Sequence, residues 1–219
     1  MRHAAAPFAG PVAAFLVALM AIVLATGATA SCKRPDEAIK ALYSHTVTPD
    51  KIDRRMFGLD GQALQWVLVS SEGPPDGAVF VYDCAGHKLA EKAFGYVHTV
   101  GPGPLGAGTL TLRYVPGSGT GISLTSVAIL RYRNGAISQI FDHALIDDAA
   151  IGAGMPDSSY RYRVRIAAHV IRVSGTLRTG VFGNDGWNTL LRGRTVRLPE
   201  ERYCYNSRRD RFIACRRSP

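Results

Sequence analysis

The sequence predicts a mainly β protein, an antiparallel β-sandwich or barrel-like sheet with a short N-terminal helix. Short runs rich in Val, Ile, Leu, Tyr, Phe and Thr recur from residue 64 onward, and clusters of Gly and Pro typical of turns stand between them. After residue 30, a strong helical pattern occurs once, so helices cannot supply the core. The strands must therefore bury their apolar sides against one another.

The first thirty residues have the composition of an export signal. A short polar start is followed by an unbroken apolar run at 12–25, and residues 28–30, Ala-Thr-Ala, are small enough for a signal peptidase. The run is shorter than the ~20 residues that a membrane-spanning helix needs. We expect a cleavable signal peptide over 1–30, a single all-β domain over 31–219, and a periplasmic or secreted location.

The predicted elements follow in chain order. A helix begins at Pro35, carries acidic residues in its first turn as the helix dipole prefers, and stops near His45. Residues 49–55 indicate a turn or a short second helical piece. The predicted strands cover 64–70, 78–83, 109–115, 126–132, 137–142, 160–167 and 170–173, together with the two arms of a terminal hairpin.

Cysteine use agrees with export. All four cysteines lie after the predicted signal: Cys32, Cys84, Cys204 and Cys215. Disulfides persist in oxidising compartments, and Cys204 and Cys215 flank a predicted hairpin tip at 206–210, so we expect a bridge between them. Cys32 would then pair with Cys84. A lipid on Cys32, as in bacterial lipoproteins, stays an alternative, and membrane contact is expected only in that case.

Positive charge is concentrated near the C-terminus. Residues 31–159 carry 11 basic and 13 acidic side chains, whereas residues 160–219 carry 14 basic and 4 acidic ones. All fourteen of those basic residues are Arg, whose planar guanidinium suits carboxylates and phosphates. The excess indicates either an anionic partner or a solvated surface in a protein from an Arg-rich genome.

Alternation along 160–166 predicts a cationic ladder on one face of a strand and Tyr, Val and Ile on the other. The candidate ligand-binding residues are Arg161, Arg163, Arg165, Arg172, Arg178 and Trp187. An acidic protein or an anionic envelope polymer would suit the arginines. Aromatic side chains that could stack on bases do not share their face, which argues against nucleic acid. Trp187, beside a turn, would grip a sugar or a protein groove.

Catalytic signatures are absent. The sequence holds no G-x-S-x-G, no H-E-x-x-H and no G-x-x-x-x-G-K-[ST] motif. Asp142 and His143, with Asp147 and Asp148 just after them, place acid and base groups in one predicted loop. We expect no catalytic residue, no metal site and no cofactor.

The favoured function is that of an exported bacterial envelope protein, acting as a non-catalytic binding or inhibitory module for an anionic surface or an acidic protein partner. Two alternatives stay open. One is a secreted hydrolase with a loop-borne site that uses Asp142 and His143. The other is a structural envelope component that binds its partner along a sheet edge.

Overall fold

The structure, a computed structural model, describes residues 32–43, 51–70, 77–116, 118–119, 122–149, 157–183 and 188–215. The predicted signal segment and Trp187 lie outside the described residues. A helix, α1, spans Asp36–Tyr43 directly after Pro35 and carries Asp36 and Glu37 in its first turn. Ile39 of α1 is fully buried, so the helix is held to the body of the protein by that side chain.

Fourteen β-strands make up most of the described chain. They are β1 Lys51–Leu59, β2 Gln62–Ser70, β3 Gly77–Asp83, β4 Lys88–Phe94, β5 Tyr96–Pro102, β6 Thr109–Val115, β7 Ser118–Gly119, β8 Ile122–Arg133, β9 Ala136–Ala149, β10 Asp157–Ile166, β11 Val170–Phe182, β12 Leu190–Arg197, β13 Glu201–Asn206 and β14 Arg211–Ala214.

The strands form two antiparallel sheets that pack as a sandwich. Sheet one contains β1, β2, β3 and β4 in chain order. Sheet two has the order β14-β13-β11-β10-β9-β8-β6-β5, with β12 also paired to β11 and β7 to β8. The predicted fold class, a mainly β antiparallel sandwich, is confirmed.

The main core lies between the two sheets. Trp66 of sheet one is 2 % exposed, stacks on Phe57 at 5.4 Å between ring centroids, and meets Tyr132 of sheet two edge-on at 6.4 Å. Sheet one also buries its outer side, where Phe80 packs in a cluster with Ile39 of α1. Because both sides of β2 and β3 are buried, their sequences are almost continuously apolar rather than alternating.

Tight turns set the register of two hairpins. Asp60 and Gly61 join β1 to β2, and Asn134 and Gly135 join β8 to β9, all with positive φ angles between 50° and 76°. Two-residue turns of this kind match the right-handed twist of the flanking strands. Three antiparallel hairpins lie within short segments of the chain: β3 with β4 at 81–91, β8 with β9 at 131–141, and β13 with β14 at 204–214.

Gly95 is the point at which the chain leaves sheet one for sheet two. It stands between β4 and β5, and a Cβ atom there would lie 1.7 Å from the carbonyl oxygen of Val115. Real Cβ atoms do not approach backbone oxygen so closely, and therefore only glycine fits this crossing.

Sheet two curves until its C-terminal strands cover its middle strands. Val127 and Phe141 of β8 and β9 share a buried cluster with Ile171 of β11 and Phe212 of β14. The terminal hairpin is tied down by Arg131, whose Nη1 donates to Oδ1 of Asp210 at 2.5 Å. The curved sheet thus has a second core of its own.

Two sequence expectations are wrong. Residues 51–59 form strand β1 instead of a turn or helical piece, because this edge strand is mostly exposed or half-buried and lacks an apolar run. The acidic stretch after Phe141 is not a loop. It lies within β9, which runs to Ala149 and pairs with β8 along its whole length except at two irregularities.

Candidate functional site

Cross-strand pairing gathers arginines from four strands on one side of sheet two. In antiparallel pairs, residues directly opposite each other share a side of the sheet. We call this surface the arginine face. Its arginines are Arg161, Arg163 and Arg165 of β10, Arg172 and Arg178 of β11, Arg197 of β12 and Arg202 of β13.

The other side of β10 faces the second core. Tyr162, Val164 and Ile166 all pack against that buried cluster. The strand therefore has the predicted alternation, with cationic side chains on one side and apolar ones on the other. Burial of this apolar side fixes the register, because a one-residue slip would turn the arginines into the core.

Three arginines stand in a row across the sheet. Arg172 is directly opposite Arg165 on one neighbouring strand and directly opposite Arg202 on the other. Arg202 Nε donates to Glu200 Oε1 at 2.9 Å. That hydrogen bond lowers the pKa of the Glu200 carboxyl, and the charges of Arg202, Arg172 and Arg165 lower it further. One exposed carboxylate thus faces three guanidinium groups.

Arg161 has a different role from its neighbours. Its Nη1 donates to Oδ1 of Asp148, a carboxylate that is 2 % exposed. It also donates to the carbonyl oxygen of Tyr160 at 3.1 Å. A buried carboxylate needs such a partner, because an unpaired charge away from water is costly. Arg161 is therefore an anchor of the fold at one end of the arginine face.

The remaining arginines divide into two groups. Arg178 is half-buried, donates to the carbonyl oxygen of Asn188 at 2.9 Å and lies 5.3 Å from the ring centroid of Phe182. The second group has four members, which are all exposed and form no ion pair within the described residues: Arg163, Arg165, Arg172 and Arg197.

A shallow cavity of about 540 Å³ opens on the arginine face. Arg161, Arg163 and Arg197 line it, together with three hydroxyl side chains, Ser174, Thr176 and Thr195. Guanidinium groups donate hydrogen bonds and accept none, and hydroxyl groups can donate as well. The cavity therefore offers a concave arrangement of donors and positive charge, which suits carboxylate, phosphate or sulfate groups.

Asp142 and His143 do not form a catalytic pair. As consecutive residues of a strand they point to opposite sides. Asp142 accepts a hydrogen bond from Tyr114 at 3.1 Å, and desolvation raises the pKa of its carboxyl. The ring centroids of His143 and Tyr162 lie 4.8 Å apart, and His143 Nε2 lies 3.7 Å from Oε2 of Glu201. The loop that would have carried an Asp/His site is a strand.

No group of three or more His, Cys, Asp or Glu side chains within the described part of the chain could hold a metal ion. Among the same residues, no helix is both long enough and apolar enough to cross a membrane.

Sequence reasoning missed several residues of the arginine face. Arg197, Arg202 and Thr195 join it through the pairing of β11 with β12 and β13, and Ser174 and Thr176 join it through the pairing of β10 with β11. The alternation of polar and apolar residues along one strand does not show which strands pair with it. The cluster of Arg at 192–202 was a visible signal, but its division between the two sides of the sheet was not.

A disulfide braces the terminal hairpin, which lies next to this face. Cys204 and Cys215 are bonded across the terminal hairpin with 5.0 Å between their Cα atoms, as predicted, and all four cysteines of the chain are disulfide-bonded. Such bonding is compatible with a location outside the cytoplasm.

Fold and site together define an antiparallel β-sandwich protein with disulfide bonds and an arginine-rich sheet face. No protein-family model, no curated protein and no solved structure matches this chain.

Proposed function

We propose that this chain is an exported protein of the bacterial envelope, and that it acts as a non-catalytic binding or inhibitory module for an anionic surface or an acidic protein partner. One observation carries the proposal. Four exposed arginines stand together on one side of sheet two, and none of them forms a direct ion pair among the described residues.

The row of opposed arginines favours a binding role over a merely solvated surface. Like charges directly opposite each other weaken strand pairing. Solubility could be obtained with the same arginines staggered or paired with acids. An anion placed between Arg165 and Arg172 would relieve their repulsion, so the arrangement is better suited to the bound state than to the free protein.

Export is part of the proposal. The bonded cysteines support an oxidising compartment, and residues 1–30 have the composition of a signal peptide. A periplasmic or secreted location would bring the arginine face into contact with anionic lipids, envelope polymers and acidic proteins.

The test compares two pairs of substitutions with the same change in net charge. Arg163→Gln with Arg165→Gln removes two charges from the arginine face. Arg192→Gln with Arg194→Gln removes two exposed charges from the other side of β12. Arg161 is left intact, because its loss would leave Asp148 unpaired.

Binding is measured by retention on immobilised dextran sulfate, by sedimentation with phosphatidylglycerol vesicles, and by capture from an envelope extract. A basic side chain near an anionic surface is worth about 1 kcal/mol, so the first pair should bind about 30-fold more weakly at low salt. The control pair should bind nearly as the parent protein does. Equal losses in both pairs, or binding that salt does not weaken, would refute the proposal.

A further inference from the structure

β10 has a backbone edge that no strand covers within the described residues. β9 and β10 pair only from Ser158 with Ala149 to Arg161 with Ile146. Beyond Arg161 the two strands diverge, and β10 continues to Ile166 while paired with β11 alone. Residues 162–166 therefore present unpaired backbone donors and acceptors along one side of the strand.

A groove runs beside this open edge. Its volume is about 580 Å³, and one wall consists of Tyr162, Val164 and Ile166. Val127 and Leu145, from β8 and β9, also line it. Thr99, Thr111 and Arg113 complete part of its lining, so the groove is mainly but not wholly apolar. It lies next to backbone groups that can pair with a further strand.

The opposite side of the same five residues is cationic. Arg163 and Arg165 alternate with the three groove residues and are exposed. Side chains of a strand added to this edge would alternate in the same way. Every second one would enter the apolar groove, and those between would stand opposite Arg163 and Arg165, where cross-strand pairing favours carboxylates.

We propose that residues 162–166 accept an extended segment of a partner protein as an additional strand, and that this segment alternates apolar with acidic residues. The inference rests on the proposed function, because it uses the arginine face, and it deepens that function by naming the partner as a peptide. A polysaccharide or a lipid headgroup could meet the charges but could not continue the backbone ladder.

Charge complementarity excludes two other occupants. A second copy of β10, added antiparallel about Val164, would place Arg163 opposite Arg165 and repel. The segments of this chain outside the described residues hold no stretch that alternates apolar and acidic residues over five positions. Neither a symmetric dimer at this edge nor insertion of the chain's own segments has the required pattern.

The probe is a capped, fluorescently labelled peptide with the core Val-Glu-Val-Glu-Val between glycines. Its binding to the disulfide-bonded protein is followed by fluorescence anisotropy. One comparison peptide has the same composition in the order Glu-Glu-Val-Val-Val. A second keeps the alternating order but carries N-methyl groups on its backbone amides. We expect the alternating peptide to bind about tenfold more tightly than either comparison peptide.

Charge reversal supplies a rescue. Arg163→Glu with Arg165→Glu should abolish binding of the Val-Glu-Val-Glu-Val peptide and create binding of Val-Lys-Val-Lys-Val, a result that a misfolded variant cannot give. Amide hydrogen exchange at Tyr162, Val164 and Ile166, whose N–H groups face the open edge, should slow when the matching peptide binds.

The outcomes separate the two proposals. Equal, salt-sensitive binding of the alternating and the scrambled peptide overturns strand addition and leaves the anion-binding face in place. No salt-sensitive binding of these peptides, dextran sulfate or anionic vesicles overturns both. Order-dependent binding that is lost on N-methylation supports strand addition.

Discussion

Replacing Arg172 by threonine should make the protein more stable. Arg172 is the middle member of the row and has a guanidinium directly opposite on each neighbouring strand, Arg165 on β10 and Arg202 on β13. Threonine is favoured in strands and carries no charge. The substitution therefore removes two repulsive cross-strand pairs while leaving the backbone ladder intact.

The size of the effect follows from the two pairs. Exposed cross-strand charge pairs are worth about 0.2–1 kcal/mol each, and like-charged pairs act against pairing on a similar scale. The ion pair of Arg202 with Glu200 already offsets part of the repulsion between Arg172 and Arg202. We expect a gain of about 0.5–1.5 kcal/mol in the free energy of unfolding. For a chain of this size the Tm would rise by ~1–6 °C.

Urea unfolding at low and high salt provides the assay. Arg163→Thr is the matched control, because the residue opposite Arg163 is Ser174 and no like charge is removed. Its effect should stay within about 0.5 kcal/mol of the parent protein. Added salt screens repulsion between exposed charges, so the advantage of Arg172→Thr should shrink as the Debye length falls from about 10 Å at 0.1 M to about 3 Å at 1 M.

Two results would refute this reasoning. One is a loss of stability in Arg172→Thr relative to Arg163→Thr, which would mean that packing of the Arg172 stem outweighs the repulsion. The other is a gain that persists unchanged at high salt, which would locate its cause in strand propensity rather than in charge.

Three further outcomes follow from individual contacts. Gly95→Ala should destabilise the protein by about 1–3 kcal/mol or more, because its Cβ has no room at the crossing between the sheets; thermal unfolding measures this. Arg161→Ala should cost about 3–5 kcal/mol by leaving Asp148 unpaired, and adding Asp148→Asn should recover part of that loss in urea unfolding. The pKa of Tyr114 and that of Tyr203 are both raised to about 12, chiefly by burial. Because the unfolded chain loses these protons near pH ~10, stability should fall as pH rises through ~10–12, and Tyr114→Phe should flatten that fall.

Much of the fold could be predicted from local signals. Strands that bury an apolar side, such as β2 and β3, carry that burial in their composition, and the terminal hairpin was marked by its cysteines. Edge strands could not be found in this way. β1 and β12 contain no fully buried side chain, so neither an apolar run nor a clean alternation marks them.

The candidate site could be predicted only along a single strand. Period-two alternation is enough to assign Arg161, Arg163 and Arg165 to one side of β10. Which strands stand beside β10, and in what register, depends on long-range pairing that one sequence does not encode locally. The row formed by Arg165, Arg172 and Arg202 was for that reason invisible, as was the pairing of Arg161 with Asp148.

The tie between Arg131 and Asp210 spans 79 residues of sequence and bears on the order of folding. Sheet one pairs only strands that are neighbours in the chain, so it closes small loops and can form early. We expect the second core to be completed later, because it includes Phe212 of β14, the last strand of the described residues. Loss of residues 210–219 would remove Phe212 from this core and expose part of Phe141, and we expect the truncated chain to be prone to aggregate.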